Sequence, residues 1–385
     1  FGTMGRALIV PASFLVLLLN SCYVTTQGYH LMRHQLAARP VERLQRNAVR
    51  DVSLSAGMEE EQRLFRDVDR IRTYGIEQVR LTAGKSFTTY VRTDRDYLVD
   101  VVSAAREDRF ERKEWRFPIF GAFPYKGFYR TEPAMRLAAQ LRREGWDVYV
   151  RRVDAFSTLG FFRDPLYSFM AGYEEARLAD LVLHEMAHAT LWIRDEAQFN
   201  EEFATFVGRT GARDYLVERY GPEDPRVLDL EMQRLDNDTF REDMLRLRDQ
   251  LHELYESVRD LEDGYSRRER ILREKEATIA AFQREFAATY HDRYRSERFL
   301  AGAEITINNA YLDLFSTYTG NLHLFEEYHR LLGGTLGETT EALVYLMTNR
   351  PGGERPTATL RRTLEELRES RNVPDRATLP GEDQT

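Results

Sequence analysis

His184-Glu185-Met186-Ala187-His188 is the stretch on which the reading of this chain turns. On a helix, positions i and i+4 share a face, so His184 and His188 can present two imidazoles to one ion. Glu185 sits beside the first histidine, where a carboxylate can take a proton from a metal-bound water. Zinc lowers the pKa of such a water to about 7, so hydroxide is available at neutral pH. Leu181, Val182 and Leu183 precede the motif, and Ala187 and Leu191 follow at packing positions. That pattern predicts a buried helix over Glu174 to Ile193 rather than a solvated charged face. Two histidines and a glutamate on a buried helix need partners, and a metal ion supplies one.

A catalytic zinc takes a third protein ligand and keeps a fourth position open. A metzincin-type site would place that ligand six residues after the second histidine, where this chain has Arg194. The next acidic residues are Asp195, Glu196, Glu201 and Glu202. Arg194-Asp195-Glu196 reads as a polar turn, and Phe199 to Arg213 as a second helix whose first turn comes back beside His188. Glu201 and Glu202 differ by about 100° around that helix, so one of the two faces the ion.

Working outward, residues 26–83 read as helices: Gln27 to Ala38, a break at Arg39-Pro40, then Met58 to Leu81. Ser86 to Val91, Tyr97 to Val102 and Trp115 to Phe123 are rich in aromatic and β-branched residues and are predicted strands, with a turn over Pro124 to Gly127. Thr131 to Arg143 is an amphipathic helix closed by Gly145, and Trp146 to Val153 a further strand. Gly84-Lys85-Ser86 is no phosphate loop, because the glycine that motif needs five residues earlier is Val79. Beyond the metal motif, Phe240, Met244, Leu247, Leu251, Leu254, Val258 and Leu261 step by four and three, the apolar seam of a coiled-coil helix. Asp263-Gly264 interrupts it, and Leu272, Ile279, Phe282 and Phe286 predict a returning helix. The result is an antiparallel hairpin over roughly 238–294, which could also serve as a partner-binding arm. Apolar helices continue through 303–349, and a polar tail from Pro351 holds a short helix at Leu360 to Arg368.

Composition sets limits on function. The 385 residues are 42% hydrophobic and 31% charged, too apolar for a disordered chain and too charged for a polytopic membrane protein. A net charge of −8 leaves no basic excess to neutralise a phosphate backbone, which argues against a nucleic-acid partner. One cysteine excludes an intramolecular disulfide framework and cysteine-rich zinc sites. That residue, Cys22, follows Arg6, an apolar run from Ala7 to Leu19, and Asn20-Ser21. The run falls short of the roughly 20 residues that span a bilayer and reads as the core of a signal peptide. Leu19-Asn20-Ser21-Cys22 resembles the bacterial lipobox, where the cysteine is diacylated and becomes the new N-terminus. Acyl chains there would anchor the protein stably, at about 0.8 kcal/mol per buried methylene. Tyr23 and Val24 carry no acidic retention signal, so the expected location is the cell envelope, at the outer membrane and periplasm in a cell with two membranes.

Asn200-Glu201 resembles the asparagine–glutamate pair of gluzincin metallopeptidases, where the glutamate is the ligand, and this favours Glu201 with Glu202 as the alternative. More widely, the chain resembles a bacterial family of predicted aminopeptidases, lipoprotein-like zinc proteins of the gluzincin type. The matching stretches are the lipobox with Tyr29 after it, Gly121-Ala122-Phe123-Pro124-Tyr125-Lys126-Gly127, Trp146-Asp147-Val148-Tyr149-Val150 and Ser157-Thr158-Leu159-Gly160-Phe161-Phe162. They continue with His184 to His188, Phe199-Asn200-Glu201-Glu202-Phe203-Ala204 and Asn308-Asn309-Ala310, so that roughly residues 20 to 350 are covered.

The expected fold is α+β: a zincin-like core with a small mixed sheet ahead of the HExxH helix, and a mostly helical C-terminal half that includes the hairpin. The expected division is a signal peptide (1–21), N-terminal helices (22–85), the sheet and metal-binding helices (86–235), a helical C-terminal region (236–350) and a polar tail (351–385). The expected function is a membrane-anchored, zinc-dependent peptidase, aminopeptidase-like, acting on a peptide or protein through a zinc-activated water. His184, His188 and Glu201 would hold Zn2+, and Glu185 would be the base. The alternative is a non-catalytic, zinc-stabilised lipoprotein that holds a partner through its hairpin. Tyr318 and His323 are candidate donors to the oxyanion of the transition state. Ser157 to Gly160 could border the cleft, and the sheet could lend an edge to an extended peptide.

Overall fold

The computed structural model describes residues 32–48, 56–117, 121–153, 164–258, 264–319 and 321–371. The first half of the chain contains β1 (Arg39–Pro40), α1 (Val41–Ala48), α2 (Ala56–Glu77), β2 (Thr89–Val91), β3 (Val99–Arg106), β4 (Trp115–Phe117), β5 (Gly121–Phe123), β6 (Tyr125–Phe128), α3 (Thr131–Arg143), β7 (Trp146–Val153) and β8 (Leu166–Tyr167). The second half is helical: α4 (Glu175–Thr190), α5 (Ala197–Tyr220), α6 (Pro225–Ser257), α7 (Gly264–Arg293), α8 (Asn309–Thr319), α9 (Leu322–Leu332), α10 (Leu336–Thr348) and α11 (Pro356–Arg371). The fold is therefore mixed α+β and mostly helical. No helix among the described residues is long and apolar enough to cross a membrane.

The helix that carries the two histidines, α4, lies at the centre. Leu178, Ala179, Val182, Leu183, Met186 and Ala187 recur along it and are all buried. A helix apolar around so much of its circumference belongs inside a core. Leu64, Phe65, Val68 and Ile71 of α2 join the same core, as do Phe199, Phe203, Phe206 and Val207 of α5. Each large apolar side chain so buried contributes about 1.5–3 kcal/mol. Glycines let the backbones approach: a Cβ on Gly75 would sit 2.9 Å from Leu183 Cδ2, and one on Gly211 would sit 2.8 Å from Leu183 Cδ1.

Ahead of the metal helix, β6, β3 and β7 form an antiparallel sheet in that order. β3 is buried along nearly its whole length, as a central strand should be. Its alternate residues serve two layers: Val102 and Ala104 pack with Ala134, Ala138 and Leu141 of α3, while Val99 and Val101 join the main core. The chain can turn from α3 into β7 because Gly145 adopts φ +76, a left-handed conformation that other residues resist. A second small sheet orders β1, β2 and β8, and β4 pairs with β5.

Several boundaries differ from the expected ones. The stretch Trp115 to Phe123 is two short paired strands, Trp115 opposite Phe123. Of the turn expected over Pro124 to Gly127 only Pro124 is a bend; the rest is β6, whose Tyr125 and Phe128 pair with Ser103 and Asp100 of β3. A neighbouring strand that satisfies the backbone outweighs local turn chemistry there. α2 stops at Glu77, short of Leu81, and its end is closed by the Leu81 N–H donating to Gly75 O at 2.9 Å. α6 begins at Pro225, well before its heptads, because the Asp224 side chain caps it by accepting from Arg226 N–H at 3.0 Å.

Residues of α6 and α7 pack on each other through Phe240, Met244, Leu247, Leu251, Phe282 and Phe286. They run in opposite senses, since Asp243 pairs with Arg293 and Arg246 with Glu285. A buried polar network joins them to the sheet. Lys275 of α7 is ion-paired with Asp147 of β7 and donates to Glu107 O at 2.9 Å. Asp147 also accepts from Asn309 N–H at 2.8 Å. The Asn309 amide donates to Arg106 O at 2.8 Å and accepts from Tyr255 hydroxyl of α6 at 2.8 Å. The motifs around Asp147 and Asn308-Asn309 are thus a latch between sheet and helices.

Candidate metal centre

His184 and His188 leave α4 one turn apart, their ring centroids 4.8 Å from each other. α5 runs back beside α4 and brings Glu201 against both. Glu201 Oε2 lies 3.8 Å from His184 Nε2, and its Oε1 lies 3.8 Å from His188 Nε2. At that separation neither imidazole is hydrogen-bonded to the carboxylate. Zinc–ligand bonds of about 2.1 Å in a tetrahedron set ligand atoms roughly 3.4 Å apart. The three donor atoms all lie within 4.8 Å of one another, so they converge at close to the spacing one ion would span. It is the one such trio among the described residues. The His188 side chain is 3% exposed, whereas those of His184 and Glu201 are 23% and 26% exposed, so the trio opens to solvent on one side.

The electrostatics suit a cation. Burial, with Arg209 adding to it, pushes the His184 pKa down to about 4. Burial and neighbouring His184 push His188 down to about 3. Both imidazoles are neutral at pH 7, the form in which histidine ligates metal. Burial drives Glu201 up to about 7 against the pull of Arg151. A carboxylate whose charge is disfavoured by burial, facing two neutral imidazoles, is relieved by a positive ion between them. His188 Nδ1 is buried with no hydrogen-bond partner among the described residues. Glu185 is buried on α4 next to His184.

What aims Glu201 is its neighbour. Asn200 is fully buried; its amide donates to Ile193 O at 2.7 Å and its carbonyl accepts from Ile193 N–H at 2.9 Å. The side chain pairs with both polar backbone groups of one residue in the α4–α5 turn and so fixes the angle at which α5 returns. Asp195 in this turn has φ +62, a conformation that aspartate tolerates better than most residues. Glu202 points elsewhere: it is fully buried and accepts from Asn321 N–H at 2.8 Å and from Gln198 Nε2 at 3.0 Å. Asn321 in turn accepts from Arg361 at 2.7 Å. Glu202 therefore ties α5 to the start of α9 and to α11. Further along α5, a Cβ on Gly208 would lie 2.4 Å from Asp180 Oδ1 and 3.1 Å from His184 Cβ, so the two helices touch directly beneath the trio.

The structure brings together His184, Glu185, His188 and Glu201. His323 is exposed on α9, and its charged neighbours are Arg361, Glu327, Glu326 and Arg241 rather than the trio. Tyr318 is in α8, but its side chain lies outside the described residues, as do Cys22 and Ser157 to Gly160. Sequence reasoning missed the clamp made by Asn200 and the contact at Gly208. A glycine seven residues after a candidate ligand, on the same helical face, was the available signal for the second.

A family model described as "Putative aminopeptidase" matches residues 22–358, and the chain belongs to that family. No curated protein and no solved structure matches the chain.

Proposed function

We propose that this member of an aminopeptidase-like family is a zinc-dependent peptidase anchored to the bacterial cell envelope through a lipidated Cys22. The observation that carries the reading is the convergence of His184, His188 and Glu201 with Glu185 next to the first histidine. Zinc, when bound, supplies the Lewis acidity that makes water a nucleophile at neutral pH and polarises a carbonyl. His184 and His188 stay neutral to bind it, and Glu201 contributes a negative charge. Glu185 accepts a proton from the attacking water and delivers it to the departing amine, base and acid in turn. Of the two candidate donors to the oxyanion, Tyr318 is kept, since His323 is exposed among Arg361, Glu327, Glu326 and Arg241. Removal of residues from the amino end is the finer reading, supported by the family. The anchor is supported by Leu19-Asn20-Ser21-Cys22 and the apolar run before it.

The test is zinc analysis combined with cleavage of a mixed-sequence peptide library by wild type and Glu185→Gln. One zinc per chain is expected in both, with wild-type products shortened from the amino end. Glu185→Gln is expected to lose at least about two orders of magnitude in turnover, the usual contribution of a positioned base. Equal cleavage by both proteins would refute the mechanism, and loss of zinc from the variant would make Glu185 a ligand instead.

A further inference from the structure

Leu191 and Ile193 are buried, yet Trp192 between them is 36% exposed. Both flanks are tied down. Leu191 N–H closes α4 by donating to Ala187 O at 2.9 Å, and the Asn200 amide holds Ile193 by both backbone groups. The indole is therefore presented from fixed backbone. Its ring stands edge-on to that of the candidate ligand His188, with centroids 5.7 Å apart and planes at 69°. The next side chains along the turn, Arg194 and Asp195, are 90% and 73% exposed, so Trp192 supplies the apolar surface of this exposed edge. A brace for His188 alone would gain most by being covered on its outer face. Leaving part of an indole in water forgoes about 25 cal/mol per Å² of apolar area, which a ligand resting against it would recover.

We propose that Trp192 is a wall of the substrate cleft and that the site prefers a bulky apolar side chain on the residue flanking the scissile bond. An aromatic wall offers both apolar area and the offset or edge-on geometry that aromatic side chains favour. The inference rests on the zinc-peptidase reading above and names the substrate class for the same site.

Zinc-loaded wild type, Trp192→Phe and Trp192→Ala are titrated with phenylalanine hydroxamate and glycine hydroxamate, chelators that differ only in the side chain. The same proteins are assayed on peptides carrying Phe, Leu, Ala or Gly beside the cleaved bond. Wild type is expected to favour the phenylalanine ligand. Trp192→Ala is expected to weaken that ligand roughly 10- to 100-fold while changing the glycine ligand less than about threefold, and Trp192→Phe to keep most of the preference. On peptides the loss falls mainly in KM for Phe and Leu and is several-fold smaller for Gly, with one zinc retained per chain. Equal losses on both hydroxamates, or loss of zinc, would make Trp192 a brace for His188 and overturn the proposal. A wild type without side-chain preference would overturn it whatever the variants do. Hydroxamate affinity needs no turnover, so absence of cleavage by every form would sink the peptidase reading while the titrations still decide the role of Trp192.

Discussion

Replacing Asn200 by alanine should damage the metal centre without touching a ligand. The substitution strips Ile193 of the partner to its N–H at 2.9 Å and to its carbonyl at 2.7 Å, both in a fully buried position. Each buried polar group left without a partner costs about 1–3 kcal/mol, so the pair predicts a loss of about 2–6 kcal/mol. At about 2.1 cal/mol/K of unfolding entropy per residue, a chain of this length shifts by a little over 1 °C per kcal/mol. The metal-free variant should therefore melt roughly 2–7 °C below wild type by calorimetry. The turn it releases also sets the direction of Glu201, so zinc affinity should fall roughly 10- to 100-fold, the usual effect of losing a group that orients a ligand. Asn200→Asp is a control: it still accepts from Ile193 N–H but cannot donate to the carbonyl, and it places a second charge beside Glu201. It should be no better than alanine. If Asn200→Ala melts with wild type and binds zinc equally well, the clamp does not position the site.

Glu201→Gln should lose zinc by equilibrium dialysis, whereas Glu202→Gln should keep it and instead lower thermal stability; the reverse pattern would exchange their roles. Lys275→Met leaves Asp147 with the Asn309 N–H but no cation, and should cost about 3 kcal/mol by thermal unfolding. Adding Asp147→Leu removes the unpaired charge but orphans the buried Asn309 N–H, so it should recover only part of that loss; a further drop would contradict this. Gly208→Ala drives a methyl to 2.4 Å from Asp180 Oδ1 and should destabilise by about 1–3 kcal/mol while weakening zinc. Unchanged melting and zinc affinity would show that the two helices have room to spare.

The parts of this fold that were legible in the sequence are those decided by local chemistry. α3 and β7 keep their expected bounds because helical periodicity, a glycine able to take positive φ, and a run of aromatic and β-branched residues follow one another without conflict. The two histidines needed only helical spacing. β6 was not legible: Gly127 is a turn residue by preference, and only pairing with β3 draws Tyr125 to Phe128 into a strand, with Pro124 left as a bend before it. The choice between Glu201 and Glu202 rested on one neighbouring asparagine. Both are acidic and adjacent, and what separates them is Asn321, more than a hundred positions away, which claims Glu202. The Asn200 clamp is short in sequence but depends on the exact return of α5, a matter of packing between Gly208, Gly211 and α4 that no periodicity encodes.

All three donors of the candidate metal centre fall between positions 184 and 201, on two successive helices. An ion there closes a small loop, and small loops remove little entropy from an unfolded chain. Its effect belongs to the neighbourhood rather than to the whole molecule. Amide hydrogens of α4, α5 and their turn would exchange more slowly when the ion is held, because their local opening would have to release it. The α6–α7 pair and the sheet, latched through Lys275 and Asn309, would open and close at their own rates with or without it. The candidate ligands lie on one short stretch of chain and most of the mass elsewhere, so loss of the proposed metal would silence the first while leaving the second standing.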